Sequence, residues 1–287
     1  MSIRKILVPL KGGAQDKVVL GAAARVTKQL GGQLTGLFVR PDPTEALPYM
    51  GDGVSGQVIE QLLDAAKEGA DAASARASAH LHEAAKEAGL EVVKAGGPLP
   101  SARFYDVTGR QDVVISEESR LADLVVFAEG EPDGDQFGGD ALEAAVMNAG
   151  RPVLIAPQDG FAGKLGGTVV IGWDGSVQAS HAVSAALAFL QAAEKIVILC
   201  IGEDEIEPER GARLKDYLGL HDVKAELRLV DRKDRSTGQA LLEEAGALDA
   251  GLLVMGAYSH SRLRELLIGG VTRHVRGHAS IPVLMAH

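Results

Sequence analysis

Residues 150–157, GRPVLIAP, and 279–287, ASIPVLMAH, are two versions of one ending, in which a proline leads into a short apolar strand. Each closes its own series of strand and helix signals, so the first 160 residues and the remainder are expected to fold the same way. In the first series, short β-branched runs predict strands at 4–9, 33–39, 90–94, 124–128 and 152–156. Alanine-rich helices fall between them, near 14–30, 57–88, 111–121 and 140–149. The second series predicts strands at 168–172, 196–201, 224–230, 252–255 and 282–286, with helices near 178–192, 208–218, 236–247 and 270–278. Alternating β and α elements imply parallel strands with helices on both faces. The fold class is therefore α/β, with two tandem doubly wound five-stranded parallel sheets flanked by helices.

A length of 287 residues accommodates two such units. The glycine-rich stretch DGFAGKLGG at 159–167 reads as the linker, which gives an N-terminal domain at 1–158 and a C-terminal domain at 168–287. The formal charge of −10 excludes a general nucleic-acid binder, which needs a basic stripe for phosphates. No apolar run has the length of a bilayer span, and the N-terminus enters a strand without a signal-peptide core. A cytoplasmic protein without a membrane partner is expected. The single cysteine, Cys200, reads as a buried small apolar residue rather than a metal ligand or half of an internal disulfide.

In a doubly wound sheet, ligands lie beyond the carboxyl ends of the strands, where the strand order reverses. Two second-half segments are expected there. Trp173-Asp174-Gly175-Ser176 follows the first strand, and Met255-Gly256 ends the fourth. Asp174 is an acceptor suited to sugar hydroxyls or an adenine amino group. Glycines at 256, 269 and 270 leave room for close backbone approach. The amides of Gly270, Val271 and Thr272, in the first turn of the last helix, are expected to aim at an anion, and Thr272 adds a hydroxyl as cap or phosphate ligand. Arg262 or Arg264 supplies charge at the phosphates or decorates a solvated helix. His274 and His278, four residues apart, read as surface or packing residues rather than a metal pair. The chain has no P-loop, His-Glu-x-x-His pair or Gly-x-Ser-x-Gly elbow, and no catalytic residue is assigned.

These residues resemble the signature of tandem universal stress proteins: Gly, two residues, Gly, nine residues, Gly, then Ser or Thr, after the fourth strand. Gly256, Ser259, Gly269 and Gly270 keep that spacing, with Ser259 in place of the second glycine and Gly270 in place of the hydroxyl residue. The resemblance implies an adenine-nucleotide alpha hydrolase-like fold with strand order 3-2-1-4-5. It also implies ATP or AMP, with or without Mg, in the C-terminal domain. Asp174, Gly175 and Ser176 match the family's strand-one aspartate, and Ile201 the strand-two position that meets adenine. The implied function is a stress-response sensor or switch acting on an unidentified protein partner. The alternatives are a weak ATP hydrolase or phosphotransferase, and a nucleotide-free interaction scaffold. Family dimers pair through their last strands, so 152–156 and 282–286 are expected to meet within one chain as a pseudo-dimer, leaving homodimers of whole chains open. In the first half, Lys11-Gly12-Gly13 replaces Asp174-Gly175-Ser176, and the acidic 129–140 stretch replaces the glycine signature. Carboxylates there repel a triphosphate, so that half is expected to have lost nucleotide binding.

Overall fold

The computed structural model describes residues 2–42, 56–94, 96–129, 142, 144–161, 163–203, 208–257 and 270–287. The strands of the first half are β1 (Lys5–Leu10), β2 (Gln33–Arg40), β3 (Glu91–Val92), β4 (Ser101–Thr108), β5 (Leu124–Ala128) and β6 (Val153–Ala156). Its helices are α1 (Gln15–Leu30), α2 (Gly56–Ala88) and α3 (Gln111–Arg120), followed by one wide helical turn, α4 (Ala144–Asn148). The second half contributes β7 (Thr168–Gly172), β8 (Lys195–Gly202), β9 (Glu226–Asp231), β10 (Ala250–Gly256) and β11 (Val283–Ala286). Its helices are α5 (Val177–Gln191), α6 (Pro208–Gly219), α7 (Thr237–Ala247) and α8 (Gly270–His278).

All eleven strands form one sheet, in the order β3-β4-β2-β1-β5-β6-β11-β10-β7-β8-β9. The second half follows the expected order, and every pairing within each half is parallel. The halves are not separate sheets. β6 and β11 pair antiparallel, Val153 opposite Met285, Leu154 opposite Leu284 and Ile155 opposite Val283. Each apolar ending thus satisfies an edge that either half alone would leave open.

The first half departs from the sequence reading in its third strand. Only Glu91 and Val92 of the expected 90–94 run are extended, at the sheet edge, and Ser101–Thr108 takes the place beside β2 along its full length. Charged Arg103 and Asp106 hid this strand from a search for apolar runs. Asp106 is answered by Arg40 at the end of β2, which donates Nε at 2.7 Å and Nη2 at 2.8 Å.

Central strands read as continuous apolar runs because both faces are covered. In β1, Ile6 and Val8 face one core and Leu7 the other. The first core lies under α1, α2, α5 and α6 and contains Leu20, Leu81, Phe189, Leu190 and Leu214. The second lies under α3, α4, α7 and α8 and contains Ile115, Val146, Leu241 and Val275. The connection between β6 and β7 is packed rather than a loose linker. Leu165 is buried, Arg25 donates to the Phe161 carbonyl, and the Lys164 carbonyl occupies the space a β-carbon at Gly251 would need.

Candidate functional site

The strand order of the second half reverses between β7 and β10. At the carboxyl end of β7 the chain turns through Trp173, Asp174, Gly175 and Ser176 into α5. The Ser176 amide donates to Asp174 Oδ1 at 2.9 Å, and Ser176 Oγ accepts the Ala179 amide at 3.1 Å. These two bonds fix the turn and cap the helix. Gly175 is required twice over: its φ is +77°, and a β-carbon would lie 2.8 Å from Arg210 Cδ. Asp174 is exposed, with one carboxylate oxygen held by the turn.

Gly256 ends β10 beside this turn, for a reason the sequence did not show. A β-carbon there would lie 2.6 Å from the Ala179 amide nitrogen and 2.9 Å from the Gln178 carbonyl carbon. The space is taken by the first turn of α5, and the absence of a β-carbon lets that helix pack against the end of β10. Gly270 opens α8, is exposed, and has open space where its β-carbon would be. Val271 is half-buried, and Thr272 is 3% exposed. Ile201 is half-buried near the end of β8, opposite Val230 of β9, and packs on the second core. Of the remaining expected site residues, Ser259, Arg262 and Gly269, like Arg264, lie outside the described residues.

A cleft starts at the Asp174 turn and runs between α5 and α6. Its volume is about 700 Å³, within the range of small-molecule sites. Val183 and Leu214 line its apolar floor, Ser180 and Ser184 one wall, and Arg210, Arg213 and Tyr217 the other, with Trp173 through Ser176 at its head. Trp173 Nε1 donates to the Arg210 carbonyl at 3.0 Å, and Arg210 Nη1 donates to the Asp174 carbonyl at 3.1 Å. The sequence search kept only Asp174, Gly175 and Ser176 from this lining. A signal for the rest was present: Arg210, Arg213 and Tyr217 at i, i+3 and i+7 mark one face of a helix.

In the first half the corresponding space is filled. The Ala73 backbone of α2 lies over the β1–α1 turn, 2.3 Å from where a Gly12 β-carbon would be. Arg76 Nε donates to the Gly12 carbonyl at 2.9 Å. Asp16, 3% exposed, accepts the Lys11 and Gly12 amides at 3.0 and 2.8 Å. Lys17 of α1 pairs with Glu83 of α2 at 2.9 Å. At the end of β2, where Ile201 and Gly202 stand in the second half, Arg40 clasps Asp106 and also Asp71 of α2.

Among the described residues no cluster of three His, Cys, Asp or Glu side chains could hold a metal ion. The His274 and His278 rings stack 4.3 Å apart, and His274 packs on Gly238 of α7. Cys200 is buried under Gly211 of α6, and burial raises its thiol pKa. No helix among the described residues is long and apolar enough to cross a membrane.

Comparison with known proteins follows the same division of the chain. The universal stress protein family model matches residues 167–287. A universal stress protein from Synechocystis sp. is 27% identical over 281 residues, covering 91% of this chain and 92% of its own. The crystal structure of a universal stress protein from Archaeoglobus fulgidus superposes with a TM-score of 0.67 at 16% identity, covering 98% of this chain and 97% of that one. A functionally unknown protein from Pseudomonas aeruginosa gives a TM-score of 0.60 at 15% identity, covering 99% and 92%. At these identities the two structures speak for the fold, and they do so across both halves.

Proposed function

Because the universal stress protein family model matches residues 167–287, we propose that this half binds ATP or a related adenine nucleotide at the β7–β10 switch point and acts as a sensor or switch. The observation that carries this reading is the placement of Asp174. It stands exposed at the carboxyl end of β7, where the strand order reverses, in a turn that its own hydrogen bond holds rigid. Its free oxygen meets ribose or adenine, the amides of Gly270 and Val271 at the start of α8 meet phosphate, and Ile201 lies toward the base. Thr272 supports α8 from inside rather than offering its hydroxyl to a ligand, consistent with its burial. The first half is a structural copy without a nucleotide, supported by the α2 backbone over Gly12. The antiparallel pairing of β6 with β11 makes the chain a pseudo-dimer in this reading, acting in the cytoplasm.

The test is a thermal-shift titration with Mg-ATP, AMP and GTP on the wild type and Asp174→Ala. A ligand at about 100 times its Kd stabilises by roughly 2.7 kcal/mol, which moves the melting curve by several degrees. Each protein is compared with itself without ligand, so any loss of stability from the altered turn cancels. A shift with adenine nucleotides that Asp174→Ala abolishes is expected. No shift with any nucleotide, or one that Asp174→Ala leaves intact, overturns the assignment.

A further inference from the structure

The α5–α6 cleft has no role in the nucleotide reading beyond the turn at its head. In the first half the matching helices close on each other through Ala73 at Gly12 and Lys17 at Glu83. In the second half the groove between them stays open, although its floor residues Val183 and Leu214 are built as core, 1% and 4% exposed. Its walls have a consistent chemistry. Trp173 and Tyr217 line it with aromatic rings, Ser180 and Ser184 lie one helical turn apart with hydroxyls, and Arg213 forms no ion pair with any described residue. Arg210 is engaged with the Asp174 carbonyl, and Asp174 Oδ1 with the Ser176 amide, so both are held by the turn at the head of the cleft. Arg213 is the lining cation that the turn does not hold.

We propose that this cleft is a second ligand site, separate from the switch-point crevice, that takes a small aromatic anion. The ring rests on the Val183–Leu214 floor against Trp173 and Tyr217, and the anionic group meets Arg213 and the Ser184 hydroxyl. An aromatic carboxylate, sulfonate or phosphate of one or two rings matches the volume and polarity. The proposal does not depend on nucleotide binding at the switch point.

Trp173 is the only tryptophan in the chain, so occupancy of the cleft is read directly. The probe is anilinonaphthalene sulfonate, followed by energy transfer from Trp173, with uncharged phenylnaphthylamine as the neutral match. One saturable sulfonate per chain is expected. Arg213→Ala weakens it by about tenfold, the size of one lost charge-assisted hydrogen bond, and leaves the neutral probe unchanged. Ser184→Leu, at an exposed position, fills the groove and weakens both probes. Circular dichroism and melting curves establish that each variant is folded. AMP leaves the sulfonate bound. Sulfonate binding that is absent, or indifferent to Arg213→Ala and Ser184→Leu, overturns the proposal. Displacement by AMP overturns the separation of the two sites.

Discussion

Glu129 leaves β5 at the seam between the halves and faces Arg276 of α8, Oε1 to Nη2 at 3.8 Å. The two side chains are 15% and 20% exposed, and Glu129 Oε2 and Arg276 Nε are buried without a hydrogen-bond partner among the described residues. Burial pushes the Glu129 carboxyl up from 4.5 to about 7, against the downward pull of Arg276. The folded state therefore holds this proton more tightly than the unfolded chain does. Stability from this group is fully present below pH 4.5 and is lost as pH rises through 7. The full difference corresponds to at most about 3 kcal/mol, which solvent screening of a partly exposed pair reduces to about 2. Glu129→Gln keeps the shape and removes the titration. Its stability relative to wild type should rise by about 2 kcal/mol between pH 5 and pH 8, roughly 4 °C in Tm for a chain of this size. Any constant cost of leaving Arg276 unpaired shifts both ends of the comparison equally. The assay is differential melting of the two proteins across that range. A difference that stays flat with pH would show that Glu129 is solvated and ionised throughout, and the seam argument would fail.

Three further outcomes follow from contacts described above. Gly12→Ala forces a β-carbon into the Ala73 carbonyl at a φ of +75°, so it should cost about 2–4 kcal/mol in chemical denaturation; a loss below about 1 would mean that α2 shifts freely off the turn. Ser176→Ala removes the α5 cap and should lower stability by about 1 kcal/mol, whereas Ser176→Asp should restore most of it; equal losses in both variants would exclude a capping role. Gly256→Ala should destabilise by about 1–3 kcal/mol while Gly270→Ala, facing open space, should stay within about 1, and the reverse ranking would return Gly256 to a ligand-facing role.

The second half was legible almost element by element because its central strands are buried on both faces and so appear in the sequence as unbroken apolar runs. β4 was not, because Arg103 and Asp106 interrupt its pattern, and the partners of Asp106, Arg40 and Ser74, come from elements 66 and 32 residues away. The position of Asp174 followed from strand order alone. The purpose of Gly256 did not: a glycine reports that something comes close, and the sequence cannot say whether it is a phosphate or the Ala179 amide. For the α5–α6 cleft, the helical repeat of Arg210, Arg213 and Tyr217 marks one wall, but whether that wall stands open depends on the spacing between two helices, which a local pattern does not record.

The β6–β11 seam has one more consequence. When identical chains meet about a two-fold axis, every substitution appears twice, so a lone acid on one side cannot be matched by a lone base on the other without duplicating both. Here the strand registers place Ala257 where the second half would repeat Glu129, each amide bonding the last residue of the neighbouring strand, Ala286 and Ala156. Counting back from Pro152 and Pro282 places Val146 opposite Arg276. Ala257 and Val146 are apolar and buried, at 0% and 1% exposure. Among the described residues the seam therefore carries the Glu129–Arg276 ion pair at one end and hydrocarbon at the other, a polarity that a covalent tandem permits and a symmetric pair of chains forbids.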